Sequence, residues 1–316
     1  MMASFGLARQ AALAAAGPQH HPAGTLYVVA TPIGNLADMS LRALHVLGLV
    51  DALACEDTRH TQSLLRGCAL ERPGLALLAL HQHNEAEAAQ AVIARLQAGQ
   101  RVGLVSDAGT PAISDPGARL VALVQAAGLR VIPIPGASSV TTLLSAAGCV
   151  PAGAAPGGFV FVGFLPARGQ ERERALQALA AEARAQVLLE APHRMAALAQ
   201  SLAVLGPRRV TVGRELTKQF EQIHTLAAAE LPAWLAERSE HGRGEFALVL
   251  HEAPAAPAVD ADPHAPLLRL LLQELPLKTA VRLAAEITGA PRNALYAQAL
   301  ALRQAGEDED ADTAGA

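Results

Sequence analysis

Cysteine is scarce in this chain of 316 residues. Cys55, Cys68 and Cys149 are odd in number, and none sits in a C-x-x-C spacing. A disulfide framework and a cysteine-rich zinc site are both disfavoured, and free thiols fit a reducing cytoplasm. Lysine is scarcer still. Only Lys218 and Lys278 occur, so 23 of the 25 bases are arginine. With so much alanine, this reads as the codon bias of a GC-rich genome. A large field of one sign is also lacking. The formal net charge is −4, but five acids (Glu307, Asp308, Glu309, Asp310, Asp312) crowd the last ten residues, leaving 25 bases against 24 acids elsewhere. A local basic face stays open. The longest uncharged stretch, Val131 to Ala167, is 37 residues but is broken by Pro and Gly. Its cleanest helical piece, Ala137 to Val150, has 14 residues, short of the ~18 to 20 that cross a bilayer. No G-x-G-x-x-G follows the first apolar run, no G-x-x-x-x-G-K-[ST] occurs, and there is no internal repeat. The usual dinucleotide and P-loop fingerprints are thereby excluded.

Apolar residues make up 51% of the chain, ample for a buried core, and the length suggests two domains. Residues 1–23, Ala-rich with Arg9 as the one base, read as a disordered extension, with a targeting leader as the minor reading. From residue 25 short apolar runs alternate with helical patterns. Strands are expected at 25–30, 50–55, 75–80, 101–105 and 129–134, and again at 159–162, 186–190, 209–213 and 245–251. Helices are expected between them, including 41–49, 84–97 and one opened by Asp115 as N-cap with Pro116 at its first position. This spacing implies right-handed crossovers and a mostly parallel sheet in the first unit. The organisation read from it is an N-terminal α/β domain at 24–136, a second α/β domain at 137–253, a Pro-rich linker at 254–266, a helical segment at 267–304 and an acidic disordered tail at 305–316.

In open α/β sheets ligands bind beyond the carboxyl ends of the strands. Four loops there are unusual: 31–36, 56–61, 106–117 and 135–139. In the third, small residues (Ala108, Gly109, Thr110, Ala112) admit a ligand close to the backbone, and Asp107 can accept hydrogen bonds. Turn geometry and helix capping by Asp115 are the plainer alternative. In the second, Glu56, Asp57, Arg59 and His60 lie within one turn. A carboxylate there can take a proton while Arg59 binds phosphate, or Asp57 can simply cap a helix. His81 and His83 form an H-x-H without evident further metal ligands. Arg214, Glu215 and Lys218 suit either an ion pair or an RNA contact, and Arg168, Arg172 and Arg174 suit either a phosphate patch or a solvated helix face.

Taken in order, Gly24-Thr-Leu-Tyr-Val-Val-Ala-Thr-Pro-Ile-Gly-Asn-Leu36, Cys55-Glu-Asp-Thr-Arg-His-Thr61, His81-Gln-His-Asn-Glu85, Ser106 to Gly117, Glu190-Ala-Pro-His-Arg194, Arg214-Glu-Leu-Thr-Lys218 and Leu275-Pro-Leu-Lys278 closely resemble the ribosomal-RNA-modifying members of the tetrapyrrole-methylase-like family, the class III S-adenosylmethionine-dependent methyltransferases. The resemblance covers about residues 24–304. It implies a cytoplasmic homodimer of two α/β domains per chain, with the cofactor folded into the cleft between them, plus a small C-terminal helical segment. It implies methyl transfer to the ribose 2′-hydroxyl of a cytidine in the decoding region of 16S ribosomal RNA, free or in the 30S particle, with no membrane and no metal. The family's S-adenosylmethionine loops map onto Pro32 and Gly34, onto Asp107, Ala108, Gly109, Thr110, Ile113 and Ser114, and onto Pro135, Gly136 and Ala137. Further contacts are expected near Glu190 to Arg194 and Gly244 to Ala247. The expected catalytic residues are Glu56, Asp57 and Arg59, and the expected substrate contacts are His60, His83, Arg194, Lys218 and Lys278. Arg269, Lys278, Arg282, Arg292 and Arg303 against Glu274 and Glu286 would give the C-terminal helices an RNA-gripping face. A tetrapyrrole C-methyltransferase on the same fold and a non-catalytic RNA-binding module are the alternatives.

Overall fold

The computed structural model describes residues 2–81, 84–149, 158–237, 242–253 and 264–313. They form two compact units that divide at residues 253 and 254. The first unit opens with helix α1 (Met2–Ala16) and then builds a sheet from β1 (Thr25–Val29), β2 (Ala52–Cys55), β3 (Ala76–Ala79), β4 (Val102–Val105) and β5 (Arg130–Ile134). The order is β3-β2-β4-β1-β5 and every pairing is parallel. Helices α2 (Leu41–Leu49), α3 (Thr58–Gly67), α4 (Glu85–Gln97) and α5 (Ala118–Ala126) make the crossovers. A parallel sheet covered on both faces needs apolar residues at successive positions, and β2 and β4 are buried throughout. Tyr27, Val29, Leu47 and Leu53 pack on one side, and Leu26, Val92, Leu104 and Leu120 on the other.

Two local expectations are corrected here. Residues 2–16 are a helix, not a disordered stretch. Ala12 and Ala16 are buried, Phe5 and Ala8 pack on the core, and Arg9 donates to the Ala69 carbonyl at 2.8 Å. Alanine has the best helix propensity, and its small side chain allows close helix packing. Asp115 does not cap α5. Gly117 occupies the N-cap with φ of 130°, and its N–H donates to Glu85 Oε1 on α4 at 2.7 Å.

A second sheet follows within the same unit. Its elements are α6 (Ser139–Ala147), β6 (Phe159–Phe164), α7 (Gly169–Ala181), β7 (Ala185–Glu190), α8 (Pro192–Leu202), β8 (Arg209–Arg214), β9 (Gln222–Ala227), α9 (Leu231–Glu237) and β10 (Phe246–Leu250). The order is β6-β7-β10-β8-β9. Only β6 and β7 are parallel; the other three pairings are antiparallel. Strand β9 was not expected from the sequence. Helix α6 lays Leu143 against Val187 and Val249 on one face, and α8 lays Met195 and Leu198 on the other.

The second unit contains α10 (Ala265–Glu274), α11 (Leu277–Thr288) and α12 (Arg292–Thr313). Leu268, Val281, Ala284, Leu295 and Ala299 form its core, and Gly289 in the left-handed region (φ 72°) ends α11. Helix α12 runs through the acidic stretch that was expected to be disordered. No helix among the described residues is long and apolar enough to cross a membrane.

Candidate active site

The loops at the carboxyl ends of the first sheet are stitched to one another through their backbones. Thr31 N–H donates to the Gly109 carbonyl at 2.9 Å, and Gly109 N–H donates back to the Thr31 carbonyl at 3.1 Å. Thr110 Oγ1 donates to the Ala137 carbonyl at 3.1 Å. The loop at 106–117 is thus fastened to the loops after β1 and β5. Gly109 has φ of 77°, and a Cβ there would stand 3.1 Å from Ile33 Cγ2. Only glycine meets both conditions without strain.

These loops, the start of α6 and the facing edge of the second sheet enclose a cavity of about 360 Å³, within the size range of small-molecule sites. Asp107, Ala108, Gly109, Thr110, Ile113 and Ser114, the residues proposed from the sequence to contact the cofactor, all line it. Pro32, Gly34, Pro135, Gly136 and Ala137 are not in its wall; their neighbours Ile33, Ser138, Ser139 and Val140 are. Sequence reasoning missed Phe161, Phe164 and Leu216 in the opposite wall. Of these, Phe164 is an exposed aromatic at the end of β6. Asp107, Asp115, Glu190 and Glu245 are among the lining residues, the Glu190 side chain being fully buried behind the wall, and among the described lining residues there is no Arg, Lys or His.

The acidic groups near the mouth separate by environment. Partial burial, then the charges of Asp107 and Asp115, push the Glu56 carboxyl above its ordinary value. Burial and the Asp107 charge likewise raise Asp115, against a lowering hydrogen bond from Ser106. Asp57 goes the other way, down to about 2. Its carboxylate is held first by the Arg59 side chain and then by the Arg59 backbone N–H. Asp57 caps α3, accepting from the N–H groups of Arg59 and His60, and its Oδ2 lies 3.0 Å from Arg59 Nη2. Its own N–H donates to Asp107 Oδ1 at 3.2 Å. Glu56, Asp57, Arg59 and His60 all lie outside the cavity wall, with Glu56, Arg59 and His60 exposed.

In the second sheet, Glu190 Oε1 accepts from Arg194 Nε at 3.1 Å and from Ala191 N–H at 2.9 Å. Arg194 also donates to the Leu165 carbonyl. Glu190 Oε2 is buried without a hydrogen-bond partner, so the carboxylate at this wall is only half satisfied. Lys218 Nζ bridges Glu215 Oε1 at 2.9 Å and Glu245 Oε2 at 3.0 Å. Its methylenes cover Gly34, where a Cβ would meet Lys218 Cγ at 2.5 Å. Arg214 is buried and donates to the carbonyls of Arg243 and Phe220 rather than to Glu215. Arg172 donates to the Pro166 carbonyl, leaving Arg168 and Arg174 as the exposed bases of that group. His83 lies outside the described residues, as does the side chain of Arg303. In the second unit Arg282 and Arg292 share Glu286, at 3.1 and 3.8 Å, while Lys278 and Arg269 are in none of the ion pairs found among the described residues.

Residues 25–232 match the family Tetrapyrrole (Corrin/Porphyrin) Methylases, and residues 257–303 match the RsmI C-terminal HTH domain. A protein of Pseudomonas aeruginosa named Ribosomal RNA small subunit methyltransferase I is 50% identical over 286 residues, which is 88% of this chain and 97% of that protein. Its namesake in Escherichia coli O157:H7 is 47% identical over 282 residues, 88% of this chain and 95% of that one. Among solved structures, a cobalt precorrin-4 methyltransferase of cobalamin biosynthesis superposes with a TM-score of 0.53 at 19% identity, over 74% of this chain and 98% of that one. A diphthine synthase gives 0.53 at 15% identity, over 72% and 89%. These two share the fold. The chain therefore belongs to the tetrapyrrole methylases and, within them, to the family of the ribosomal RNA small subunit methyltransferase I proteins.

Proposed function

We propose that this chain transfers a methyl group from S-adenosylmethionine to the ribose 2′-hydroxyl of a cytidine in the decoding region of 16S ribosomal RNA. The observation that carries the cofactor assignment is the charge of the cavity. Asp107 and Asp115, which are in none of the ion pairs found among the described residues, together with the apolar side chains suit a ligand bearing a sulfonium and an ammonium; Glu190 and Glu245 are already paired with Arg194 and Lys218. The Cβ-free approach at Gly109 fits the same ligand. When bound, S-adenosylmethionine supplies an electrophilic methyl group. The chain's part is to hold the acceptor oxygen in line with it, and such positioning is worth roughly 7 kcal/mol or more.

The acceptor proton needs a base. Glu56, whose pKa is raised, fits that role better than Asp57, whose pKa is depressed. Asp57 then orients Arg59, whose exposed guanidinium is available to a substrate phosphate. His60, Arg194 and Lys218 would contact the RNA around the mouth, and Lys278 would do so from the helical unit. The relatives' names favour ribosomal RNA over a tetrapyrrole, and a chain-for-chain homodimer bound to RNA or the 30S particle is part of the proposal. The test is mass-spectrometric mapping of 16S ribosomal RNA from particles incubated with the protein and isotopically labelled cofactor. The expected result is one labelled ribose on a cytidine. Label on a base, on no nucleotide, or on an added tetrapyrrole would overturn the reading.

A further inference from the structure

Away from the cleft, the carboxyl end of α6 meets the end of β10. There Cys149 Sγ lies 3.7 Å from His251 Nδ1, and one Glu252 carboxylate oxygen completes a trio whose atoms all lie within 4.8 Å of one another. It is the only such group among the described residues. We propose that Cys149, His251 and Glu252 form a site for one divalent transition-metal ion of the zinc class. This departs from the metal-free expectation drawn from the sequence, and it does not rest on the methyl-transfer reading.

Three observations support it. The first is spacing. Sulfur and nitrogen ligands at about 2.3 and 2.0 Å from a tetrahedral ion stand about 3.5 Å apart, close to the separation found here. A thiol–imidazole hydrogen bond alone would also explain that distance, but it has no need of Glu252. The second is orientation of the imidazole. His251 is 5% exposed, and its Nε2 lies 2.7 Å from Thr211 Oγ1, which lies 2.7 Å from Thr225 Oγ1. With Nε2–H donating to Thr211 and Thr211 donating to Thr225, Nδ1 carries a lone pair directed at Cys149. This is the outer-shell arrangement that metal-binding histidines use. The third is charge. A thiolate and a carboxylate balance a divalent ion, so the occupied site is neutral.

Thiol, imidazole and carboxylate together select zinc over magnesium or calcium. One proton leaves the thiol as the ion binds. That thiol is pushed up to about 11, mainly by burial and then by Glu252, with Arg209 opposing. Burial, Arg209 and Arg208 hold the imidazole towards its neutral form, with Glu252 opposing. The two arginines disfavour a cation, and the ion must outweigh them. The trio supplies three of the four tetrahedral positions, and the fourth is open to water. The four residue steps from Ala247, in the cavity wall, to His251 span roughly 13 Å of extended strand, which separates this site from the cavity. An ion here would tie α6 to β10 at the ends remote from the cleft.

The experiment titrates the full-length protein, stripped with a chelator, with Co(II) and then Zn(II). The expected result is one Co(II) per chain with a near-ultraviolet thiolate-to-cobalt charge-transfer band that Zn(II) abolishes. Cys149→Ser should remove the band. Glu252→Gln, on a half-buried side chain that leaves the core untouched, should weaken Co(II) at least tenfold and decides the matter should the serine variant fold poorly. Cobalt bound without a thiolate band, a band that survives Cys149→Ser, unchanged affinity in Glu252→Gln, or no binding at all would each overturn the proposal. Cofactor affinity measured on the same stripped samples should be unchanged, so failure here is distinguishable from failure of the methyl-transfer reading.

Discussion

Replacing Gly109 by valine tests the cavity wall most directly. Gly109 sits in the left-handed region and exchanges two backbone hydrogen bonds with Thr31. A β-branched residue there costs about 1–2 kcal/mol for the backbone conformation. Its Cβ begins 3.1 Å from Ile33, and the added methyl groups overpack the wall at a further cost of about 1–3 kcal/mol. Together this is about 2–5 kcal/mol. At about 1.4 kcal/mol per tenfold, cofactor affinity should fall by roughly 30-fold to more than a thousandfold if the wall must deform to bind. A domain stability of about 5–15 kcal/mol absorbs the same cost without unfolding. Gly109→Ala bears mainly the backbone cost and should lose roughly tenfold. Calorimetric titration with S-adenosylmethionine or S-adenosylhomocysteine measures this, with the far-UV spectrum as the fold control. A valine variant that binds within twofold of the unmodified chain would refute the reasoning.

Four further outcomes are expected. Glu56→Gln should abolish turnover, and Asp115→Asn should move the acid limb of kcat/KM to lower pH, because a like charge that raises Glu56 is removed; an unmoved limb would count against Glu56 as the base. The same raised acids hold protons more tightly in the folded chain, so their stabilisation is present below their ordinary values and lost as pH rises through the raised ones. Melting temperature against pH should show a shallower loss in Asp115→Asn. Asp57→Asn and Arg59→Ala should lose methylation while keeping cofactor affinity, and near-normal modification of ribosomal RNA by both would sink their assignment. A chain ending at Pro263 should keep cofactor affinity but bind RNA weakly and with a shallower salt dependence, since fewer counterions are released; an unchanged salt slope would move the grip to Arg168 and Arg174.

Much of the first sheet was legible because buried parallel strands are short apolar runs, as in Thr25 to Val29 and Val102 to Val105. Strand β9 was not. Gln222 to Ala227 is an antiparallel edge with exposed His224, and its mixed polarity marks neither a buried strand nor a helix. Helix α1 buries alanines, which carry almost no amphipathic signal. The N-cap of α5 is Gly117, whose N–H is satisfied by Glu85, 32 residues upstream, and no local pattern encodes a partner at that range. That the loop at 106–117 lines a cavity was legible because close backbone approach demands small residues in sequence. The aromatic wall opposite was not, since Phe161 and Phe164 read equally well as core. Cys149 and His251 are 102 residues apart, and only the docking of α6 on β10 brings them together.

The position of β10 has a consequence for synthesis on the ribosome. This strand is central in its sheet, between β7 and β8, yet it is the last of the sheet to be made. Thirty-one residues separate Arg214 from Phe246, roughly 2–6 s of elongation at about 5–20 residues per second. During that interval β7 and β8 both present unpaired edges, and the wall carrying Glu190 has no partner for its final register with Phe246. A nascent chain halted before Phe246 should therefore be sensitive to protease and prone to edge-to-edge association. Release of a few more residues should close both edges in one cooperative step.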